Sequence, residues 1–355
     1  MPLDRFRWVH CQLDTLCRCL PSSIPKVLKE LPISLNETYE RILQGIHRER
    51  RQHATRLLQC MVVAIRPLRV EELAEVLAID FNPTAAPKLV KDWRTQDQED
   101  SEKTLLSTCS TLISIIDDGG AKIVQFSHFT VKEFLTSDHL ETLKLGDLCR
   151  YYIPLDLAHT TLVQACLTIL LQLDEKVDKK QLATFPLAFY AAQNWVDHAR
   201  FKKVTSQIQD SMERLFNPKE PYFRAWIWIH DLDKGDKRLM DTLDEHPPLP
   251  KTTPLYYAVS CGFSRLAKHL IAAHAEDVNA KCGRYGTPLH AASIWGHVDA
   301  ARVLLEHGAD KDARGQHDQS PLLSAYSAGQ LEVMQLLLEH GVDIETQHNF
   351  SLELY

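Results

Sequence analysis

The spacing of apolar residues over the first 140 positions predicts short amphipathic helices. Ser34 and Glu37 stand at the positions of a capping box, and apolar residues recur at helical spacing over Leu35–Ile46. Similar spacing predicts further helices over Phe6–Leu20, Leu57–Ile65 and Leu73–Leu77. The first and second of these runs are followed by Pro21 and Pro67, which should end each helix.

Two β-rich runs with a turn between them interrupt the helical pattern. Leu112–Ile116 and Lys122–Phe126 flank Asp117–Gly120, whose residue types tolerate the positive φ of a hairpin turn. Helices that close on one small hairpin predict a winged-helix-like domain. DNA binding is the less favoured use of this domain, because the wing carries two aspartates against one lysine.

The C-terminal part of the chain repeats one pattern at nearly constant spacing. Pro254, Pro288 and Pro321 each follow Thr or Ser, and eight positions later come Gly262, Gly296 and Gly329. Proline is tolerated in the first turn of a helix, Thr or Ser before it can cap, and glycine ends a helix in the left-handed conformation. Each unit is therefore predicted to be a pair of helices followed by a loop.

This pattern resembles the ankyrin repeat. One helix pair cannot cover its own apolar stripe, so neighbouring units should stack into a solenoid. The predicted core residues of this stack are Leu289, Ala292, Val303, Leu304, Leu322, Ala325, Leu336 and Leu337. The first copy departs from the pattern at His274, where a closing glycine belongs, and Asn349–Tyr355 are interpreted as the beginning of a fourth unit.

The resemblance implies a protein-binding surface at the loop tips and inner helices of the repeats. The candidates are Lys281, Arg284 and Tyr285 on one tip, Arg314, Gln316 and His317 on the next, and Ile294, Trp295 and Tyr326 on the concave side. A tryptophan flanked by arginine and tyrosine has the composition of an interface anchor. The alternative is an ordinary solvated surface, and the sequence leaves both open.

Length, charge and cysteine usage narrow the class of protein. The chain has 355 residues, so two or three domains are expected. A net charge of −7 argues against binding to nucleic acid or anionic lipid through positive charge. The nine cysteines contain no CxxC pair and no secretory segment follows Met1, which predicts a cytoplasmic protein. The longest charge-free stretch, Leu157–Leu173, is too short for a membrane span and is interpreted as a buried helix.

Sequence motifs of common catalytic frameworks do not occur. The chain lacks GxxxxGK[ST], GxSxG, HExxH and GxGxxG, so we predict a non-catalytic protein with no cofactor and no small-molecule substrate. A zinc interpretation arises for His10, Cys11, Cys17 and Cys19. A helix with buried thiols is favoured there, because structural zinc ligands usually pair as CxxC or HxxxH.

A second resemblance links the chain to fungal NACHT–ankyrin proteins, which are signalling NTPases related to NOD-like receptors. The similar segments are Phe6–Asp14, Leu31–Pro32, Thr38–Leu43, Arg66–Leu68, Ser127–Leu135, Pro186–Trp195 and Phe223–Ile229. In that family these segments follow the nucleotide-binding core, which this sequence does not contain. The resemblance implies that His128 corresponds to a contact with bound nucleotide. A structural role beside a core phenylalanine is favoured, because no phosphate-binding loop is present.

An aromatic cluster precedes the repeats, formed by Tyr222, Phe223, Trp226 and Trp228. It is interpreted either as an anchor for a partner or, as we favour, as a cover for the exposed end of the first repeat.

The predicted fold is mainly α. It comprises a winged-helix-like domain over 1–140, a helical connector over 141–248 and an ankyrin solenoid of about three repeats over 249–355. The favoured function is a non-catalytic interaction module derived from a NOD-like signalling NTPase, which binds a protein ligand and neither nucleic acid nor membrane. The alternative is the regulatory and ligand-sensing half of a full-length, ATP-switched NACHT–ankyrin receptor.

Overall fold

The chain folds into two compact units. A computed structural model describes residues 34–81, 86–90, 98–143, 148–201, 203–234, 246–315 and 318–342, together with residues 9, 13, 24 and 32. The first unit comprises Met1–Thr168, Phe185–Tyr190 and Asp197–Val204, and the second comprises Ile169–Thr184, Ala191–Val196 and Thr205–Tyr355. The helix predicted over Phe6–Leu20 falls outside the described residues, except at Val9 and Leu13, which are exposed.

Short helices and strands alternate in the first part of the first unit. The helices are α1 (Leu35–Gln44), α2 (Arg51–Val63), α3 (Val70–Leu77), α4 (Gln98–Cys109), α5 (Phe129–Leu135) and α6 (Asp138–Thr142). The strands are β1 (Leu68–Arg69), β2 (Ile79–Asp80), β3 (Lys88–Leu89), β4 (Ile113–Asp118) and β5 (Ala121–Phe126). Helix α1 begins where the capping pattern predicts, because Ser34 Oγ accepts the backbone N–H of Glu37 at 3.2 Å.

The predicted hairpin is present as β4 and β5, which pair antiparallel. Its turn is shorter than predicted, because Asp117 and Asp118 belong to β4 and only Gly119 and Gly120 connect the strands. Both glycines have positive φ, +62° and +90°, as a two-residue hairpin turn requires. The sequence pattern did not predict β1, which pairs with the other edge of β5 and completes a three-stranded antiparallel sheet.

Helices α2, α3 and α4 contact one another, and α3 and α4 also contact this sheet. Each contributes a fully buried leucine, Leu58, Leu73 and Leu105, and burying a side chain of this size stabilises the fold by about 2 kcal/mol. Ile65 was predicted to extend the apolar stripe of α2. It lies beyond the helix end and is 55% exposed. The backbone leaves the helical conformation at Ala64, before the Arg66 position at which Pro67 disfavours a helix.

The Arg66-Pro67-Leu68 segment has a structural role. Arg66 donates to both carboxylate oxygens of Glu72, at 2.6 and 2.8 Å. Glu72 is buried and also accepts the backbone N–H of Arg69 at 2.8 Å, at the start of α3. A buried carboxylate requires such partners, since an unpaired charge is costly to remove from water. The segment therefore fixes the connection between α2 and α3.

In the residues that the structure describes between 148 and 250, five helices precede the repeats. They are α7 (Leu155–Leu170), α8 (Lys179–Ala183), α9 (Ala188–Ala199), α10 (Gln209–Leu215) and α11 (Tyr222–Ile229). Helix α7 confirms the buried helix predicted from the charge-free stretch, although Leu155 and Leu157 near its start are about half exposed. Within the described parts of the chain, no helix combines the length and hydrophobicity needed to cross a bilayer.

The predicted repeats are present as three helix pairs in the described part of the second unit. The pairs are α12 (Pro254–Ser260) with α13 (Ser264–Ala273), α14 (Pro288–Trp295) with α15 (Val298–Glu306), and α16 (Pro321–Ser327) with α17 (Leu331–Glu339). The first helices contact each other in chain order, and so do the second helices. All eight predicted core residues are buried.

The first helix of each pair begins and ends as the sequence predicts. The side-chain oxygen of Ser320 accepts the backbone N–H of Leu323 at 3.2 Å, and Thr253 caps α12 in the same way. In the middle repeat, Thr287 Oγ1 lies 2.8 Å from Nδ1 of His290. The glycine after each first helix has φ between +72° and +77°, a conformation that a residue with a Cβ adopts only with strain.

Candidate functional site

The candidate surface of the repeats centres on Trp295, the last residue of α14. Its side chain is 46% exposed, although α14 is buried along most of its length. The Tyr285 ring meets it edge-on, with ring centres 6.3 Å apart and an interplanar angle of 82°. The guanidinium of Arg284 lies 5.9 Å from the Tyr285 ring centre. Arg284, Tyr285 and Trp295 therefore form one row, which we call the Trp295 patch.

Asp233 fixes the loop that carries Arg284 and Tyr285. Its carboxylate accepts the backbone N–H of Arg284 at 2.7 Å and the hydroxyl of Tyr256 at 2.8 Å. The same Tyr256 oxygen accepts the backbone N–H of Tyr285 at 3.3 Å. The Arg284 guanidinium also donates to the Asp233 carbonyl at 3.3 Å. A loop held in this way loses less conformational freedom when it binds a partner.

The sequence did not indicate Asp233 as part of this surface, because it lies 51 residues before Arg284 in the chain. Burial raises the pKa of the Asp233 carboxyl, although its hydrogen bonds to Arg284 and Tyr256 act in the opposite direction. The contact also means that Arg284 already has an acidic neighbour. Its charge is therefore less available to a partner than its position on a loop tip predicts.

The other predicted tip residues are less closely associated. Lys281 and Arg314 are exposed on successive loops. The Arg314 guanidinium donates to the Asp318 carbonyl at 3.1 Å, within its own loop. Gln316 and His317 lie outside the described residues.

The two remaining candidates from the predicted concave side, Ile294 and Tyr326, have different surroundings. Ile294 is half-buried, and its carbonyl accepts the side-chain amide of Gln330 at 3.3 Å, which joins the second and third repeats. Tyr326 is 63% exposed. Its counterparts in the first two repeats are Val259 and Ser293, which are fully buried. Tyr326 therefore lies on the side of its repeat that corresponds to a buried side in the first two repeats, and away from the Trp295 patch.

The aromatic cluster before the repeats is a cover for the first of them. Phe223 and Trp226 are buried, and their rings lie 5.7 and 6.0 Å from the Tyr257 ring of α12. The indole N–H of Trp226 donates to the Ala192 carbonyl at 3.0 Å, and the Tyr257 hydroxyl donates to Asp231. These contacts agree with the favoured interpretation of the cluster and leave little of it accessible to a partner.

His128 caps helix α5. Its Nδ1 accepts the backbone N–H of Thr130 at 3.3 Å and lies 2.7 Å from Thr130 Oγ1, which lies 2.7 Å from the Tyr39 hydroxyl. Such a cap satisfies a donor in the first turn of a helix. The neighbouring Phe129 is 54% exposed, so it is not the core phenylalanine that we expected; Phe134 is the buried ring of this helix. The hydrogen bonds account for His128 without a ligand.

The structure gives no basis for a metal site in the part of the chain that it describes. There, no three His, Cys, Asp or Glu side chains are grouped so that they could hold a metal ion. The cluster of His10, Cys11, Cys17 and Cys19 lies outside the described residues.

Comparison with protein families assigns a class to each end of the chain. Residues 231–315 and 255–348 match ankyrin repeats, and residues 39–143 match the winged-helix domain of GPI inositol-deacylase. These matches and the structure confirm the predicted fold class. The chain is mainly helical, with a winged-helix domain and C-terminal ankyrin repeats, which are associated with protein–protein interaction.

In sequence, the chain is similar to the azaphilone pigments biosynthesis cluster protein L of Monascus ruber. The two are 34% identical over 293 residues, which is 79% of this chain and 60% of the fungal protein. The chain therefore spans about 60% of the length of the curated relative that it matches.

Proposed function

We propose that this chain is a non-catalytic interaction module that binds a protein ligand through the Trp295 patch. The observation that carries the proposal is that Trp295 is 46% exposed and meets the Tyr285 ring edge-on. Tyr285 in turn lies on the loop that Asp233 fixes. A large, rigid aromatic side chain gives much contact area for little loss of conformational freedom. The arginine beside it supplies a polar contact at the rim of the same surface.

Replacement of Trp295 by alanine tests this proposal directly. Truncation of a central aromatic anchor commonly costs about 2 kcal/mol of binding energy, or about 30-fold in Kd. The protein ligand is first isolated from an extract of the organism that encodes this chain, with the 355-residue chain as bait. Its affinity for the purified wild-type and Trp295→Ala chains is then measured by calorimetry. We expect at least a 30-fold weaker Kd and an unchanged melting temperature.

Leu157→Ala supplies a matched control, because Leu157 is also 46% exposed but lies on α7 of the first unit. It should leave the affinity unchanged. Equal capture and equal affinity for the wild-type, Trp295→Ala and Leu157→Ala chains would contradict the proposed surface.

For its origin, we infer that the chain derives from a signalling NTPase of the NACHT class. The winged-helix match over 39–143 supports this origin. Segments that carry the resemblance also contact each other, since Tyr39 bonds to Thr130 and its ring lies 5.2 Å from Phe134. With this origin, His128 stands at the position of a nucleotide contact in the ancestral protein but serves here as the cap of helix α5. We therefore expect no ADP binding by this chain at micromolar concentration, and ADP binding that depends on His128 would contradict the inference.

A second candidate function is the regulatory and ligand-sensing half of a longer, ATP-switched receptor. The partial coverage of the fungal relative supports it, because about 40% of that protein has no counterpart in the alignment. The transcript of this gene, sequenced from its 5′ end, distinguishes the two functions. A phosphate-binding GxxxxGK[ST] motif in frame before residue 1 would favour the receptor.

A further inference from the structure

The Trp295 patch contains two aromatic rings at nearly a right angle. The rings of Tyr285 and Trp295 have an interplanar angle of 82°, with their centres 6.3 Å apart. Rings in this arrangement form a corner with two aromatic walls, which a small aliphatic ring of a ligand can contact on both sides. The Arg284 guanidinium lies 5.9 Å from the Tyr285 ring centre, at the outer limit of a cation–π contact. The patch is therefore an aromatic corner with one cation at its edge.

The polar side-chain groups of the patch are mainly hydrogen-bond donors. In the part of the chain that the structure describes, neither the indole N–H of Trp295 nor the hydroxyl of Tyr285 has a hydrogen-bond partner. The Arg284 guanidinium donates to the Asp233 carbonyl at 3.3 Å, which leaves most of its N–H groups for a ligand. An indole and a guanidinium can donate but cannot accept. A ligand that fits this patch must therefore present acceptors.

The carboxylate beside the patch is already bonded within the loop. One oxygen of Asp233 accepts the backbone N–H of Arg284 at 2.7 Å, and the other accepts the Tyr256 hydroxyl at 2.8 Å. A methylated lysine is a ligand that aromatic rings commonly hold. Here it would meet the positive charge of Arg284, while both oxygens of the neighbouring carboxylate are engaged elsewhere. A cationic ligand is therefore disfavoured.

A polyproline II segment has the complementary chemistry. Its carbonyl groups form no internal hydrogen bonds, and proline has no N–H that would face the donors of the patch. The segment is extended before it binds, so it loses little conformational freedom in an aromatic-lined groove. A helix or a strand fits less well. The carbonyls of a helix are bonded within the helix, and an edge strand presents N–H groups as well as carbonyls.

We propose that the Trp295 patch binds a proline-rich segment of its ligand in the polyproline II conformation, with one proline ring in the corner between Trp295 and Tyr285. The indole N–H and the Tyr285 hydroxyl donate to carbonyl groups of the same segment. The inference rests on the proposed function, because it names the class of ligand that this surface takes. A short segment on a small surface binds weakly, so the expected Kd of an isolated peptide is about 100 µM.

A fluorescein-labelled peptide of about ten prolines, which spans about 30 Å as polyproline II, is a suitable probe. Fluorescence anisotropy with the 355-residue chain measures its affinity. Trp295→Ala should weaken binding by about 30-fold or more, because it removes one wall of the corner. Leu157→Ala, at an equally exposed residue of the first unit, should bind as the wild type does. A serine–glycine peptide of the same length should not bind.

Two conservative variants test the hydrogen bonds separately from the aromatic contacts. Trp295→Phe and Tyr285→Phe each keep an aromatic ring but remove the indole N–H or the hydroxyl. Each should weaken the proline peptide by about 5-fold, which is the effect of one hydrogen bond. Melting curves of both variants show whether the fold is intact.

Three outcomes would overturn the proposal. The first is a wild-type chain that does not bind the proline peptide at about 1 mM. The second is a proline peptide that binds the wild-type and Trp295→Ala chains equally. The third is a trimethyl-lysine peptide that binds at Trp295 more tightly than the proline peptide does.

The isolated ligand and the proline peptide test the proposed function and this inference separately. If Trp295→Ala loses the isolated ligand but the wild type does not bind the proline peptide, the binding surface is correct and the ligand class is wrong. If the proline peptide needs Trp295 but the isolated ligand does not, the corner binds polyproline II and the isolated ligand contacts another surface.

Discussion

Truncation of Trp226 provides the most direct test of how the repeats are anchored to the helices before them. The Trp226 ring is fully buried and lies 5.4 Å from both the Trp195 and the Phe216 rings and 6.0 Å from the Tyr257 ring of the first repeat. Replacement of a buried tryptophan by alanine costs about 3–5 kcal/mol, because contacts are lost and a cavity remains. The indole also donates to the Ala192 carbonyl at 3.0 Å, and a buried carbonyl without its donor adds about 1 kcal/mol.

We therefore expect Trp226→Ala to lower the free energy of unfolding by about 4–6 kcal/mol. For a unit of this size, that corresponds to a loss of roughly 10–20 °C in melting temperature. Differential scanning calorimetry is the suitable assay, because a chain with two units need not unfold in a single transition. The loss should appear in the transition of the second unit.

Trp295→Ala is the matched control for the Trp226 experiment, since it removes the same ring from a site that is 46% exposed. It should cost less than about 1 kcal/mol. If Trp226→Ala costs no more than Trp295→Ala, the aromatic cluster does not stabilise the first repeat. The cluster would then have to be reconsidered as a binding surface.

Two further predictions concern backbone strain and acid. Gly296→Ala should destabilise the repeats by about 2 kcal/mol or more, because the left-handed backbone is strained and the added Cβ overlaps Gln330. Gly329→Ala has the same φ but no atom within 4 Å of the added Cβ, so it should cost only about 1 kcal/mol. Urea unfolding of both variants measures the difference. Burial, and then the neighbouring His159, lowers the pKa of His198 to about 4, so the unfolded chain takes up a proton before the folded chain does as the pH falls. The stability of the fold should thus decrease from about pH 6.5 towards pH 4. His198→Gln should reduce this decrease, which melting curves recorded between these pH values measure. If the melting temperature of His198→Gln falls with pH as steeply as that of the wild type, His198 is not the cause.

The repeats could be predicted from the sequence because the signals that define them are local. A capping Thr or Ser, a proline in the first turn and a glycine after two turns each act within one helix, so their spacing alone predicts the helix pair. Strand β1 had no such signal. It is two residues long, and it exists because Leu68 pairs with Val124, 56 positions later in the chain. Period-two patterning cannot detect a strand of that length.

The candidate site was predictable in composition but not in its contacts. The repeat pattern predicted the loop that carries Arg284 and Tyr285, and in the structure Asp233 holds this loop through a hydrogen bond to the Arg284 backbone. The cause lies in a sequence difference at the third position after the threonine cap, where the first repeat has Tyr256 and the second has His290. Histidine reaches only the next loop, at Gln319, whereas the longer tyrosine reaches both the next loop and Asp233. A comparison of the repeats with each other therefore contains a signal that no single repeat contains.

The same comparison decides the role of Tyr326. Composition alone places an exposed tyrosine on an inner helix among the binding residues. Its position five residues after the proline is occupied by Val259 and Ser293 in the other repeats, and both are fully buried. A position buried in every covered repeat cannot belong to the concave surface, because concave residues remain accessible along the whole solenoid. Tyr326→Glu should therefore leave ligand binding at the Trp295 patch intact, and the same calorimetric comparison measures this.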